Sequence, residues 1–261
     1  MIKRLAANAR RQDWFAVIVE LIVVVLGIFV GLQVTDWNEG RKAARLSDEY
    51  RASLVADLTA DQVTAEKRTA YFETAQGYGM QALAYLDSPN PQVSTDQASA
   101  LVTAFMLAST VWDYRQPRST FEDLKATGNL ALLGEMGLRI DLAAYYVTTD
   151  QKTAQWDLTP EYRHHVRSLI PAEAQRRIMG TCETLLGTGF SELVLRPDCR
   201  VDLSPWDVRA ILAEIAASPG MHEDLTFWMS QLRLKIELYR DQISVARKMR
   251  LRVEQAARTR T

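Results

Sequence analysis

The longest apolar run of the chain lies near its N-terminus, over residues 14–34, WFAVIVELIVVVLGIFVGLQV. Fifteen of these residues are Leu, Ile, Val or Phe, and Glu20 is the one charged residue among them. On a membrane-insertion scale the apolar residues contribute about −7 kcal/mol, whereas one buried acid costs about 3 kcal/mol. The run has the length that a bilayer core requires. It predicts a single membrane-spanning helix at 14–34, with Trp14 and Trp37 as anchors in the two interfacial regions.

Three residues of this run fall on one helical face. Glu20, Gly27 and Gly31 share a stripe, because steps of seven and eleven residues nearly complete whole turns. Gly27-Ile-Phe-Val-Gly31 is a small-xxx-small motif, which lets two helix backbones approach closely. We predict that the stripe contacts another membrane helix. The alternative is that Glu20 extends toward the nearer, cytoplasmic interface while the glycines face lipid.

Helical periodicity continues after the membrane segment. Residues 38–86 contain no proline, which predicts a long helix that ends at Ser88-Pro-Asn-Pro91. The last predicted helix carries an apolar heptad repeat. Its first apolar position is occupied by Leu225, Leu232, Tyr239, Ala246 and Val253, and its second by Met229, Ile236 and Ile243. We expect this seam to pack antiparallel on the long helix. No strand-like alternation is evident, so the predicted fold is all-α, a transmembrane helix that continues into an elongated helical bundle.

Capping signals divide the segment between the long helices. Ser94 precedes the apolar stretch ALVTAFML, which predicts a buried core helix too short to span a bilayer. Ser119 and Glu122 form a predicted capping box. Thr159-Pro160 and Ser204-Pro205 predict helix starts near residues 160 and 205. The cysteine-bearing stretch between these two starts is predicted to be irregular.

The two ends of the chain carry most of the positive charge. The net charge is −1, but residues 1–13 hold four Lys or Arg against one Asp, and residues 247–261 hold six against one Glu. The N-terminal cations favour a cytoplasmic N-terminus, although Lys and Arg also follow the span. The basic C-terminal stretch is either a solvated helix end or a contact with anionic lipid headgroups.

The only two cysteines help to choose the compartment. Cys182 and Cys199 lie in the same loop-rich region, which favours a disulfide in an oxidising compartment over the alternative of two unrelated buried thiols. The apolar run is too long for a cleaved signal peptide and lacks a small-residue cleavage site. We therefore predict a single-pass protein of the bacterial inner membrane, with residues 1–13 cytoplasmic and residues 35–261 forming a periplasmic helical domain.

Few motifs point to chemistry. The sequence has no Gly-rich phosphate loop and no Gly-x-Ser-x-Gly elbow. Glu161 and His164 have the spacing of a di-iron helix motif, but the second pair of that motif is missing, so we expect no metal and no cofactor. An acidic extracytoplasmic domain also argues against nucleic acid as a partner.

One cluster of cations forms a candidate anion pocket. Arg115, Arg118 and Lys125, together with Tyr145, supply the donors that a bound anion needs. The alternative is that these residues hold loops together through hydrogen bonds and cation–π contacts.

Two stretches carry a resemblance to other proteins. They are EliVVVlGIfvGLQVtdWNEgRK at 20–42 and RstFEDLKATGNLALLgemgLRidLaaYY at 118–146. The chain resembles an uncharacterised bacterial family of small proteins with an N-terminal membrane anchor, marked by an intramembrane Glu and by Gly-Ile, Leu-Gln and Trp-Asn pairs. The resemblance implies a membrane-anchored protein with an all-helical extracytoplasmic domain, and it implies no activity.

Two functions are compatible with these features. Because every specific motif is an association or folding signal, we predict a non-enzymatic scaffold or accessory subunit that associates through its transmembrane helix and coiled-coil faces. Its expected partners are membrane lipids and either a second copy or another membrane protein. The alternative is a periplasmic ligand-binding or sensory helical domain that acts with a separate membrane partner, since only about thirteen residues precede the span.

Overall fold

The computed structural model describes residues 2–112, 116–156, 159–186 and 192–258. In these residues the chain is predominantly helical, which confirms the all-α prediction, with one small antiparallel sheet of two strands. The helices are α1 (Ile2–Asp87), α2 (Thr95–Ala108), α3 (Ser119–Ala126), α4 (Met136–Trp156), α5 (Glu161–Ser168), α6 (Ala172–Cys182), α7 (Val208–Ala217) and α8 (Met221–Arg258); a 3₁₀ helix spans Asn129–Leu133, and the strands are β1 (Glu183–Leu186) and β2 (Glu192–Leu195).

The first helix is continuous through the apolar run and into the domain. At a rise of 1.5 Å per residue, its 86 residues span about 130 Å. Side chains from 17 to 46 are exposed, apart from the half-buried Ala43. From Ser47 onward, buried residues recur every three or four positions, which is the pattern of a helix that packs along one face. The domain therefore begins about ten residues after Trp37.

The last helix runs antiparallel to the first. His222 contacts Asp87 at one end of the pair, and Gln242 contacts Asp61 further along, so that rising numbers on α8 meet falling numbers on α1. The predicted packing of the two long helices is confirmed. The five residues that recur every seven positions on α8 are each fully buried: Leu225, Leu232, Tyr239, Ala246 and Val253.

Two hydrophobic cores lie one above the other along this helix pair. The proximal core, nearer the apolar run, packs α3, the 3₁₀ helix and α4 against α1 and α8 around Leu58 and Leu142. The distal core packs α2, α5, α6, β2 and α7 against the same two helices around Phe72, Phe105 and Leu232. The shorter elements thus form two separate groups, and α1 and α8 connect them.

The buried helix α2 shows how the distal core satisfies its polar groups. Ser94 caps its N-terminus in a capping box with Gln97, and residues 102–108 are all buried. At its C-terminal end, the hydroxyl of Tyr162 donates to the carbonyl of Phe105 at 2.8 Å, and the indole of Trp228 donates to that of Ala108 at 2.7 Å. These side chains provide the hydrogen bonds that the last turn of a helix lacks.

Two predicted helix caps are wrong because other residues supply them. Ser119 is already the first residue of α3, and the amide of Thr120 instead donates to Asp57 of α1 at 3.1 Å. Helix α7 begins at Val208, where the carboxylate of Asp207 caps it, rather than at Pro205. The helix start predicted near residue 160 is confirmed, since α5 begins at Glu161 with Pro160 at the N-cap position. A tertiary contact such as the one from Asp57 leaves no mark in the local sequence.

The region predicted to be irregular contains α6 and a hairpin. Strands β1 and β2 pair in antiparallel register, with Glu183 opposite Leu195. A disulfide joins Cys182 to Cys199 with a Cα–Cα separation of 5.6 Å. The hydroxyl of Tyr78 on α1 donates to the carbonyl of Arg196 and accepts from the amide of Cys199, so the disulfide-bonded end of the hairpin is held against α1.

Candidate functional site

The apolar run forms an uncovered helical surface. Its large apolar side chains from Val17 to Val34 are each 42–62% exposed. A side chain placed at Gly27 or Gly31 would meet nothing within 4 Å. In the part of the chain that the structure describes, one helix is long and apolar enough to cross a membrane, and none of its apolar window is buried inside the protein.

The predicted anchor residues lie at the two ends of this surface. Trp14 is 69% exposed and Trp37 is 64% exposed, and 23 helical residues separate them by about 35 Å along the axis. The guanidinium of Arg41 lies 4.8 Å from the ring of Trp37. An amphipathic ring beside a cation is typical of a membrane–water interface. The stripe residue Glu20 lies within the uncovered surface, and Thr35 donates to the carbonyl of Gly31 at 3.0 Å.

A second site is a buried polar cluster between the two cores. Asp61 of α1 is 1% exposed and accepts hydrogen bonds from Gln242 at 2.7 Å and Gln116 at 3.1 Å. The hydroxyl of Tyr145 also donates to the same carboxylate. The hydroxyl of Thr149 donates to the side-chain carbonyl of Gln242, which extends the network to the next turn of α4 after Tyr145. The cluster therefore links α1, α4 and α8 where the hydrophobic cores meet.

Burial sets the electrostatics of this cluster. Loss of water raises the pKa of Asp61, while the donors Tyr145, Gln242 and Gln116 and the charge of Arg68 act in the opposite direction. Burial also raises the pKa of Tyr145, so that its hydroxyl stays a donor. These partners are side chains of the protein itself, and the cluster's chemistry is that of a structural network.

Sequence reasoning missed Asp61, although a signal was present. Asp61 follows Leu54 and Leu58 at steps of seven and three residues and precedes Ala65 by four, so it falls on the buried stripe of α1. A carboxylate at such a position predicts a buried polar partner. Its partners come from residues 116, 145 and 242, which are too far apart in sequence to be identified by spacing.

The candidate anion pocket is occupied by the chain's own acids where the structure describes it. Arg118 makes a two-pronged contact with Asp150 at 2.6 and 3.0 Å, and Lys125 pairs with Glu122 at 3.1 Å. Tyr145 donates to Asp61, as described above. Arg115 lies outside the described residues. An external anion would therefore have to displace Asp150 to reach Arg118.

A third cluster has the order of groups found in nucleophilic triads. His165 lies between Asp224, 2.7 Å from Nδ1, and Ser218, 2.8 Å from Nε2. A cleft of about 320 Å³ lies next to it, with the apolar side chains of Phe227 and Leu234 in its walls. The acid Asp224 lines this cleft, but the hydroxyl of Ser218 does not. These contacts connect α5 with the end of α7 and the start of α8.

Metal-binding geometry is absent from the described residues: no three His, Cys, Asp or Glu side chains converge there. Glu161 and His164 are both exposed on α5. Comparison of the chain with protein-family models, with curated proteins and with solved structures finds no match. The resemblance to a membrane-anchored bacterial family therefore stays a prediction.

Proposed function

We propose that the protein is a membrane-anchored scaffold or accessory subunit of the bacterial inner membrane, whose first helix both holds it in the bilayer and contacts a partner. The observation that supports this most strongly is the uncovered apolar surface from Val17 to Val34. Burial of apolar side chains is the main driving force of folding, and here the chain itself buries none of them. A bilayer is the surrounding that would remove this surface from water.

The association role rests on the stripe Glu20, Gly27 and Gly31. Both glycines leave open space beside the backbone, which suits close approach of a second helix. The heptad seam of α8 is already buried within the chain, so only the outer faces of the α1–α8 pair remain for partners. The Cys182–Cys199 disulfide supports a periplasmic location for residues 35–261.

Fractionation and crosslinking of the intact protein test this proposal. We expect the protein to stay with membranes after alkaline extraction and to crosslink to a partner in them. Gly27→Leu combined with Gly31→Leu fills the open face and should abolish the crosslink while leaving membrane retention unchanged. The matched control is Gly40→Leu, because Gly40 also has open space around it but lies beyond the apolar run.

Two outcomes would contradict the proposal. Full release of intact protein by alkali would exclude the anchor. A strict monomer in membranes, with the same behaviour in the double leucine variant, would exclude the association role.

The cleft beside α5 favours a second candidate, a ligand-binding or sensory domain. Its volume lies at the lower end of the range for small-molecule sites, and aromatic and aliphatic side chains line it. Thermal-shift screening with small apolar acids and inorganic anions would test it. A sensor would be supported if one of these compounds stabilises the protein, if Phe227→Ala abolishes this stabilisation, and if the control Val147→Ala, at an exposed position of α4, keeps it.

A further inference from the structure

The membrane stripe and the domain lie on opposite sides of α1. An α-helix of 3.6 residues per turn completes seven and a half turns in 27 residues. Gly27 and Gly31 precede the buried residues Leu54 and Leu58 by that number, so each glycine faces away from the side that packs in the proximal core. Since α1 is continuous from Ile2 to Asp87, this relation holds along one unbroken helix.

The same geometry identifies which residues of the domain share the side of the stripe. Ten full turns take 36 residues, which places Ala56 in line with Glu20 and Val63 in line with Gly27. Both Ala56 and Val63 are exposed, and so is Ala52 one turn earlier. We call this surface, Glu20 to Val63 on the side away from the bundle, the back face of α1. From Lys67 onward the hairpin flanks α1 through a contact with Glu192, and the free surface ends there.

We infer that the back face of α1 packs against the back face of a second copy of the chain, parallel and in register, with the two domains on the outside. This inference rests on the proposed membrane anchor and names its partner. Two copies held in one membrane have the same orientation, so their first helices can meet only in parallel. The domain does not obstruct this contact, because it covers the opposite side of α1.

The size and charge of the back face suit such a contact. Forty-four residues of helix extend about 65 Å and are about 10 Å wide, which gives roughly 650 Å² for each copy. The total of about 1,300 Å² reaches the range of specific interfaces. Arg45 and Glu49 lie on the back face one turn apart, five turns after Gly27 and Gly31. In a parallel pair, Arg45 of each copy lies beside Glu49 of the other, so opposite charges meet at this level of the contact.

Cysteine crosslinking of the full-length protein in membranes tests the inference. Ala56→Cys and Val63→Cys place a thiol on the back face, and the control Ile140→Cys places one on α4, where the side chain is also exposed but lies outside the back face. Under mild oxidation we expect at least about fivefold more disulfide-linked dimer from the back-face variants than from the control, because held thiols have a high effective concentration. Adding Gly27→Leu and Gly31→Leu should reduce this dimer to the level of the control.

Each other outcome has a defined meaning. Equal crosslinking of all three thiols would show random collision and overturn the inference. If the dimer persists in the variants with Gly27→Leu and Gly31→Leu, the contact does not include the part of the back face within the membrane, and this part of the inference is wrong. A protein that stays in membranes but crosslinks only to a different polypeptide would overturn the second copy as partner and leave the proposed anchor intact. Release from membranes would instead contradict the proposed function itself.

Discussion

Phe29 and Phe72 belong to the same helix and have opposite surroundings. Phe29 is 57% exposed in the apolar run, whereas Phe72 is fully buried and stacks on Tyr239 of α8 with ring centroids 5.8 Å apart. We call residues 17–46 the bare half of α1 and residues 47–87 the packed half. Residues 17–34 of the bare half carry apolar side chains on all sides of the helix, with Glu20 as the one charge, whereas the packed half buries apolar side chains along one side. A helix that packs on its own domain needs an apolar surface on one side only, whereas an apolar surface on all sides favours lipid as the surrounding.

The acidic residues of the two halves also have different surroundings. Glu20 is the single charge of the apolar run, and nothing from the domain covers the helix around it. Asp61 is enclosed by donors from the connecting segment after α2 and from α4 and α8. A buried carboxylate requires such partners, and the bare half can obtain them only from another molecule or from the interface.

The largest expected contrast comes from removing the two aromatic rings. Phe72→Ala should lower the free energy of unfolding of the domain by about 3–5 kcal/mol, because it leaves a cavity beside Tyr239. Phe29→Ala should leave that free energy unchanged, because its ring touches no part of the domain. Urea titration in detergent, followed by tryptophan fluorescence, measures both. Equal losses in the two variants would mean that the bare half packs on the domain after all.

Opening the disulfide is the next largest perturbation of the packed half. Cys182→Ala with Cys199→Ala should cost about 3 kcal/mol, the entropy expected for a closed loop of this size. The loss should appear first as release of the hairpin from Tyr78. The hydroxyl of Tyr78 donates to the carbonyl of Arg196 and accepts from the amide of Cys199, so both of its hydrogen bonds depend on the position of the disulfide-bonded segment. Hydrogen exchange of residues 192–196 reports this release. Membrane retention, which we propose to depend on the bare half, should not change.

The sequence was sufficient for the parts of the fold that repeat. The heptad of α8 predicted its buried residues because packing along a helix requires a regular spacing, and the apolar run predicted an element that needs no partner in the chain. Single contacts were not predictable in this way. Asp57 caps α3 from 63 residues away, and the hairpin consists of two four-residue strands, too short to show alternation, whose open end is joined by the disulfide.

The candidate sites follow the same division. The stripe of Glu20, Gly27 and Gly31 is a periodic feature and was found from spacing. The cluster around Asp61 and the His165 contacts join residues separated by at least 53 positions, and sequence alone gives no reason to group them. The cations predicted to share an anion pocket were near one another in sequence, but the structure pairs Arg118 with Asp150 and Glu122, and Lys125 with Glu122.

The pH dependence of stability should depend on the acid of the packed half. Burial raises the pKa of Asp61 above its ordinary value of 3.8, so the folded state holds this proton more tightly than the unfolded state. The free energy of unfolding should therefore fall as the pH rises from that value to the raised pKa, by about 1.4 kcal/mol for each pKa unit between them. Asp61→Asn removes the titrating group and should flatten this part of the curve. If Asp61→Asn leaves the dependence of the free energy of unfolding on pH unchanged, other groups are responsible for it.

The smallest expected effects come from two glycines of the packed half. Replacing them with alanine should change the free energy of unfolding in opposite directions. A side chain on Gly79 would collide with Sδ of Met229, whereas one on Gly77 would meet nothing within 4 Å. Gly77→Ala should raise the free energy of unfolding by about 0.5–1 kcal/mol, because alanine favours the helix. Gly79→Ala gains the same helical preference but has to move Met229 within a packed core, which costs about 1–3 kcal/mol, so the net change should be a loss of about 1 kcal/mol. The gain in helical preference is common to both variants, so the difference between their unfolding midpoints measures how tightly α8 is held against α1 at Met229. Equal gains in both variants would show that the two helices are not in close contact there.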